Sequence, residues 1–136
     1  MDYSFPRYLL AKQSVDDRAL NKDVLAALQS ALSAYPRTPS TPLSVIEVGG
    51  GIGAMLARLL KWGLLPPADY TLVDEMQENI HYARAWLPLW AAQHNFRAGF
   101  APEAAEAPDV IRISAPASDT PSVTCRLICA DVFDFV

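Results

Sequence analysis

The feature that most constrains the fold is the stretch VIEVGGGIGAMLARLL, residues 45–60, in which four glycines fall within five positions between two apolar runs. The residues before the glycines, LSVIEV, are β-branched and almost wholly apolar, which is typical of a strand covered on both faces in a parallel sheet. The residues after them have helical apolar spacing. Glycines in a plain connector would each cost about 1 kcal/mol relative to alanine. Their number therefore indicates that a ligand lies close to this backbone.

The rest of the chain continues the alternation of strands and helices. Three further segments have strand patterns: 69–74, 110–114 and 123–131. A second helix is predicted over 75–87, and Pro88 is expected to kink it or to start a new short helix. Residues 98–109 are rich in Ala and Pro, which predicts a loop, and the last two strands are expected to form a hairpin. This order predicts an α/β protein with half of an open sheet.

Residues 1–42 are expected to form an N-terminal helical segment followed by a Pro-rich linker, and residues 43–136 a separate domain. Ser14 is a candidate helix N-cap. An apolar stripe with a four-residue repeat follows it, formed by Leu20, Val24, Leu28 and Leu32. The charged stretch at residues 7–21 is either a solvated helical face or a lid that contacts a ligand through Tyr8, Lys12 or Arg18.

Composition narrows the partners and the location. A length of 136 residues with 51% hydrophobic residues suits one globular domain. The net charge of −4, with no basic cluster, argues against a nucleic-acid partner. No apolar run is long enough to span a membrane. The N-terminus lacks the pattern of a secretory signal, which favours a cytoplasmic location.

The cysteines and histidines predict neither a disulfide nor a metal site. In a strand, Cys125 and Cys129 would lie on the same face about 13 Å apart, which is too far for a disulfide. His81 and His94 are distant from both in sequence. Two buried thiols are expected.

Acidic residues stand at the ends of three predicted strands: Glu47, Asp74 and Asp131. In open α/β sheets, ligands bind outside the carboxyl ends of the strands. Asp74 lies twenty-one residues after Gly53. This spacing suits a carboxylate that accepts the two hydroxyl groups of a ribose. A nucleoside ligand is therefore expected.

Two kinds of cofactor compete for this pattern. Gly49, Gly51 and Ala54 fit the G-x-G-x-x-A pattern of dinucleotide sites, in which Asp74 would select NAD. A dinucleotide, however, places an anionic pyrophosphate at the helix N-terminus, where Glu47 would repel it. A sulfonium and an ammonium group would instead be attracted by that carboxylate.

Read as E-x-G-x-G-x-G, Glu47 and the glycines resemble the first motif of class I S-adenosylmethionine-dependent methyltransferases. The resemblance covers residues 43–136. It implies a Rossmann-like three-layer sandwich with a seven-stranded sheet, of which this chain supplies about half, the N-terminal cofactor-binding part. It also implies S-adenosyl-L-methionine as cofactor and a small-molecule methyl acceptor. Aminopropyltransferases have a similar fold and a triple glycine, but an acid usually follows it where this chain has Ile52.

The resemblance implies specific contacts. Asp131 would accept the adenine amino group and the Val132 amide would reach a ring nitrogen, while Met76 would pack on the adenine. The expected cofactor-binding residues are Glu47, Gly49, Gly50, Gly51, Gly53, Asp74, Glu75, Met76, Asp131 and Val132. Neither a catalytic residue nor a metal ligand is predicted, since the family's fourth strand and its loop would follow Val136. The chain alone is therefore not expected to be fully active.

In the resembling family the first strand pairs with that fourth strand. Residues 43–48 would then form an exposed apolar edge, which favours association. We expect a second copy of the chain, the N-terminal helix or a loop to cover it. Two alternatives to the methyltransferase remain open at this point: an NAD-binding oxidoreductase domain and a non-catalytic module that binds a nucleoside or a protein.

Overall fold

Five strands and five helices are formed by the residues that the computed structural model describes, namely 5–35, 40–100, 109–117 and 122–135. The helices are α1 (Phe5–Ala19), α2 (Lys22–Ala34), α3 (Ala54–Lys61), α4 (Gln77–Gln93) and α5 (Val132–Phe135). The strands are β1 (Leu43–Val48), β2 (Ala68–Asp74), β3 (Arg97–Phe100), β4 (Val110–Ser114) and β5 (Val123–Cys129).

The strands form one mixed sheet in the order β1-β2-β5-β4-β3. β1, β2 and β5 are parallel, whereas β4 is antiparallel to β5 and β3 is antiparallel to β4. The connections β1-α3-β2 and β2-α4 are those of a Rossmann-like half-sheet. The predicted partial α/β fold and the predicted β4-β5 hairpin pairing are confirmed.

The core lies between the sheet and α3 and α4. Alternate residues of β2 and β5 point to this side, because side chains alternate along a strand. They are Tyr70, Leu72, Cys125 and Leu127, and they form one buried cluster with Leu56 and Leu60 of α3 and Ile80, Ala83 and Leu87 of α4. The described residues therefore provide the sheet and one helical layer of the sandwich.

Strand β1 lies at one edge of the sheet, where β2 is its partner among the described strands. Ile46 and Val48 point away from the helical layer and are 60% and 51% exposed. Neither the described N-terminal helices nor the described loops cover these side chains. A second copy of the chain was the third structure predicted to cover the edge of β1. The structure of a single chain does not test that prediction.

The N-terminal segment is helical as predicted, but the helix boundaries differ. Ser14 lies inside α1, so its prediction as an N-cap is wrong. Asn21 caps α2 instead, with its side-chain oxygen accepting from the N–H groups of Asp23 (2.9 Å) and Val24 (3.1 Å). Of the predicted stripe, Val24 and Leu28 are exposed, whereas Leu20 and Leu32 are partly buried. The division at residue 42 stays a prediction, and linker residues 36–39 lie outside the described residues.

The structure decides several local predictions in the C-terminal half. α4 continues through Pro88 to Gln93, which excludes a new helix there and leaves the predicted kink untested. Residues 98–100, expected in a loop, belong to β3, which pairs with β4; residues 101–108 lie outside the described residues. Cys125 is buried as predicted, whereas Cys129 is exposed because it is the last residue of β5.

In the described part of the chain, no helix is long and apolar enough to cross a membrane. The cytoplasmic location stays a prediction. The same residues include no group of three or more His, Cys, Asp or Glu side chains arranged to hold a metal ion.

Candidate functional site

A cavity of about 650 Å³ opens at the carboxyl ends of β1, β2 and β5. Its wall includes nine of the ten predicted cofactor-binding residues: Glu47, Gly49, Gly50, Gly51, Asp74, Glu75, Met76, Asp131 and Val132. The three strand-end acids therefore border one hollow. They meet there because the carboxyl ends of parallel neighbouring strands share one edge of a sheet.

Gly53 is the predicted site residue that does not line the cavity. It is the N-cap of α3, with a left-handed φ of 89°. A Cβ atom there would lie 3.0 Å from Cδ1 of Leu87 on α4. Gly53 thus allows α3 and α4 to approach each other.

At Gly50 and Gly51 of the turn, the neighbouring side chains or the backbone conformation favour glycine. A Cβ atom on Gly50 would lie 2.4 Å from Cγ of the buried Leu72, so no side chain fits between the turn and the sheet. Gly51 has a φ of 56°, a left-handed conformation that glycine adopts readily. Its missing Cβ would lie 3.0 Å from Cδ1 of Leu9 in α1. The turn is therefore held between the sheet and the N-terminal helix.

Asp74 connects the turn to the start of α4. Its Oδ2 accepts a hydrogen bond from the Gly51 N–H at 2.8 Å. Its Oδ1 accepts from the Met76 N–H at 2.9 Å and from Nδ2 of Asn79 at 3.0 Å. A carboxylate has about four acceptor positions, so the protein leaves about one position, on Oδ2, for a ligand.

Asn79 is a cavity residue that the sequence analysis missed. It is 1% exposed, and its Oδ1 has no hydrogen-bond partner among the described residues. Its Nδ2 fixes the Asp74 carboxylate. The only sequence signal was an amide side chain in the first turn of the helix that follows Asp74.

Glu47 lies at the end of β1 with its carboxylate on the helical side of the sheet. Its Oε2 accepts a hydrogen bond from the hydroxyl of Tyr70 at 2.6 Å. Burial raises the pKa of Glu47, and the negative charge of Asp74 acts in the same direction. The Tyr70 hydrogen bond and the nearby positive charge of Arg58 lower it.

Arg58 is a buried cation that the sequence analysis also missed. It is 7% exposed and lines the cavity from α3. Its Nε donates to Oδ1 of Asp17, and its Nη2 donates to the carbonyl oxygen of Gln13 at 3.2 Å. These contacts hold α1 against the site across some forty residues of sequence.

Helix α1 borders the cavity with residues other than the predicted ones. Phe5, Leu9 and Asp16 line it. Tyr8, Lys12 and Arg18 do not, and Lys12 instead pairs with Asp16, with its Nζ 3.3 Å from Oδ1. None of the three side chains named for the lid alternative therefore borders the cavity, and a lid function of α1 stays a prediction.

Asp131 lies two residues after the end of β5 and is exposed. Its Oδ1 accepts a hydrogen bond from the Phe133 N–H at 2.8 Å, which caps the short helix α5. Its other oxygen is left for a ligand, and Val132 lies beside it on the cavity wall.

No family model matches this chain, and no curated protein is significantly similar to it. One solved structure with a match is the plantazolicin methyltransferase BpumL in complex with a triazolic desmethylPZN analog and SAH. The sequences are 21% identical, the match covers 96% of this chain and the TM-score is 0.43. The chain corresponds to 36% of the length of that methyltransferase. A likeness at this distance assigns neither a ligand nor an activity to this chain.

Proposed function

We propose that this chain binds S-adenosyl-L-methionine and is the cofactor-binding part of a methyltransferase that acts on a small molecule. The observation that best supports this proposal is the convergence of Glu47, Asp74 and Asp131 on one cavity at the carboxyl ends of adjacent parallel strands. The glycine turn borders the same cavity without side chains.

The charge of the cavity favours a cationic nucleoside. Its wall carries five carboxylates and one guanidinium: Asp16, Glu47, Asp74, Glu75, Asp131 and Arg58. An anionic pyrophosphate would be repelled by this set, whereas the sulfonium and ammonium groups of S-adenosyl-L-methionine would be attracted. The electrostatics thus argue against the NAD alternative.

The residues present fit the parts of this cofactor. Asp74 has an open position on Oδ2 for one ribose hydroxyl, and we assign the second hydroxyl to its exposed neighbour Glu75. Asp131 and the backbone of Val132 would bind the adenine edge. Met76 is 37% exposed at the cavity wall and would pack on the adenine face. Glu47 would attract the positive charges of the methionine end.

The cofactor, when bound, supplies an electrophilic methyl carbon that a nucleophile of the acceptor attacks. Such a transfer depends mainly on holding the nucleophile in line with that carbon. The chain's own contribution is therefore to bind and orient the cofactor and to shield it with α1. We assign no catalytic residue among the described positions.

Titration calorimetry with S-adenosylmethionine, S-adenosylhomocysteine and NAD tests the proposal. We expect the first two ligands to bind and NAD not to bind. Asp131→Ala should weaken binding, whereas Asp134→Ala, a nearby exposed acid outside the cavity wall, should not. Binding of NAD alone would favour an oxidoreductase domain. Binding of none of the three would favour a non-catalytic module.

A second copy of the chain is the partner that we propose for the edge of β1. Ile46 and Val48 expose apolar surface next to a strand edge that is free among the described strands. Such an edge favours pairing with another strand.

A further inference from the structure

Tyr70 and Glu47 form a connected pair beneath the cavity. Tyr70 lies in the middle of β2 and is 2% exposed. Tyr70 pairs with Val45 of β1 in the strand register, and Val45 stands two residues before Glu47 on the same strand. Both side chains therefore point to the helical side of the sheet, and the Tyr70 hydroxyl donates to Oε2 of Glu47 at 2.6 Å.

The two carboxylate oxygens of Glu47 differ in their hydrogen bonding. Oε1 accepts no hydrogen bond from the described residues, although Glu47 lines the cavity. The Tyr70 contact thus fixes the carboxylate through one oxygen and leaves the other available. A neutral hydroxyl donor orients the carboxylate and leaves its negative charge in place. A Lys or Arg side chain in direct contact would instead neutralise that charge.

The titratable and charged groups near the pair lie on α1, α3, β2 and β5. Arg58 of α3 favours the ionised form of Glu47, and Asp74 at the end of β2 disfavours it. Asp16 of α1 adds a further negative charge at the cavity wall. Burial raises the pKa of the Cys125 thiol on β5 to about 12, so it stays neutral. Burial also raises the pKa of Tyr70, so its proton remains available for donation.

We propose that Tyr70 is a positioning residue that fixes the orientation of the Glu47 carboxylate and favours its ionised form, with Oε1 presented to the cationic end of the bound cofactor. This inference rests on the proposed function for the identity of the ligand. The positioning itself rests on the hydrogen bond, the burial of both groups and their place at the cavity.

The test compares Tyr70→Phe with wild type and with Tyr82→Phe, a tyrosine of α4 outside the cavity wall. The first readout needs no ligand: carboxyl NMR titration of Glu47. We expect the pKa of Glu47 to be higher in Tyr70→Phe and unchanged in Tyr82→Phe. An unchanged Glu47 titration in Tyr70→Phe would overturn the proposal.

The second readout is the affinity for S-adenosylmethionine as a function of pH. Tyr70→Phe should bind about tenfold more weakly near neutral pH, because the Glu47 carboxylate is no longer held in one orientation before the cofactor binds. The loss should be larger at acidic pH and smaller as the pH rises, because Glu47 of the variant ionises at a higher pH than Glu47 of the wild type. A uniform loss at every pH would indicate a packing defect and overturn the proposal. If wild type binds no cofactor while the Glu47 titration shifts as expected, the positioning stands and the proposed function fails.

A second variant keeps the test decisive if Tyr70→Phe does not fold. Glu47→Gln retains an oxygen that can accept from Tyr70 but carries no charge. We expect it to bind S-adenosylmethionine more weakly than wild type and to lose the pH dependence of affinity on the acidic side. The same pH dependence in Glu47→Gln as in wild type would exclude Glu47, and therefore Tyr70, from this role.

Discussion

The backbone N–H of Gly51 donates a hydrogen bond to Oδ2 of Asp74 at 2.8 Å, which joins the turn after β1 to the tip of β2. Asp74 is 8% exposed and also accepts from the N–H of Met76 and from Asn79. The residue proposed to bind the ribose is therefore also the residue that holds the turn and the start of α4 together. A substitution of Asp74 should therefore affect stability as well as the proposed binding.

Asp74→Ala should reduce both stability and affinity. Three protein donors would lose their acceptor, so the free energy of unfolding should fall by about 2 kcal/mol or more. Affinity for S-adenosylhomocysteine should fall by about 1–3 kcal/mol. Urea unfolding and calorimetry measure the two effects. Asp131→Ala is the matched control for stability, because Asp131 is exposed and accepts one local hydrogen bond. Equal stability of both variants would contradict the structural role of Asp74.

Sequence patterns were sufficient to predict that three acids lie near the ends of strands, and the structure places all three at one cavity. Each acid follows or ends an apolar β-branched run, and the ends of parallel strands must meet at one edge of the sheet. The glycine turn could also be predicted from neighbouring residues, because four glycines between a strand pattern and a helix pattern are recognisable without tertiary structure. These features depend on residues adjacent in sequence.

The parts that were missed depend on contacts distant in sequence. Arg58 contacts Asp17 and Tyr70 contacts Glu47, 41 and 23 residues apart. No local periodicity encodes such pairs. Strand β3 was missed because Arg97–Phe100 has no strand pattern of its own and gains its conformation by pairing with β4.

Gly50→Ala should destabilise the protein through a steric clash. The new Cβ would lie 2.4 Å from Cγ of Leu72, which is fully buried and cannot move aside freely. We expect a loss of about 1–3 kcal/mol in the free energy of unfolding, measured by urea denaturation.

Gly99→Ala is the matched control for this substitution, since a Cβ atom there meets no atom within 4 Å. Its effect should be below about 0.5 kcal/mol. Adding Leu72→Ala to Gly50→Ala should cost less than the sum of the two single substitutions. Full additivity would show that Leu72 is not the source of the clash.

Glu47→Gln should change the pH dependence of stability. Burial raises the pKa of Glu47 above its ordinary value of 4.5, so the native state retains this proton where the unfolded chain has released it. The stability from this group is fully present below the unfolded pKa and is lost as pH rises through the folded pKa. Relative to wild type, Glu47→Gln should therefore gain free energy of unfolding as the pH rises from about 4.5 to neutral.

Urea unfolding at several pH values measures this difference. Glu78→Gln, on the exposed start of α4, controls for the removal of one negative charge. Parallel pH profiles for Glu47→Gln and wild type would mean that the carboxylate is not buried in solution.

Ile46→Lys should weaken self-association of the chain. Ile46 is 60% exposed on β1, and a lysine on an edge strand opposes pairing with a second strand. Sedimentation velocity over a range of protein concentrations should show a dimer for wild type and a shift toward monomer for the variant. Val24→Lys is the control, because Val24 is 65% exposed on α2, away from the sheet edge. A wild-type protein that stays monomeric at all concentrations would exclude the second copy as the covering of β1.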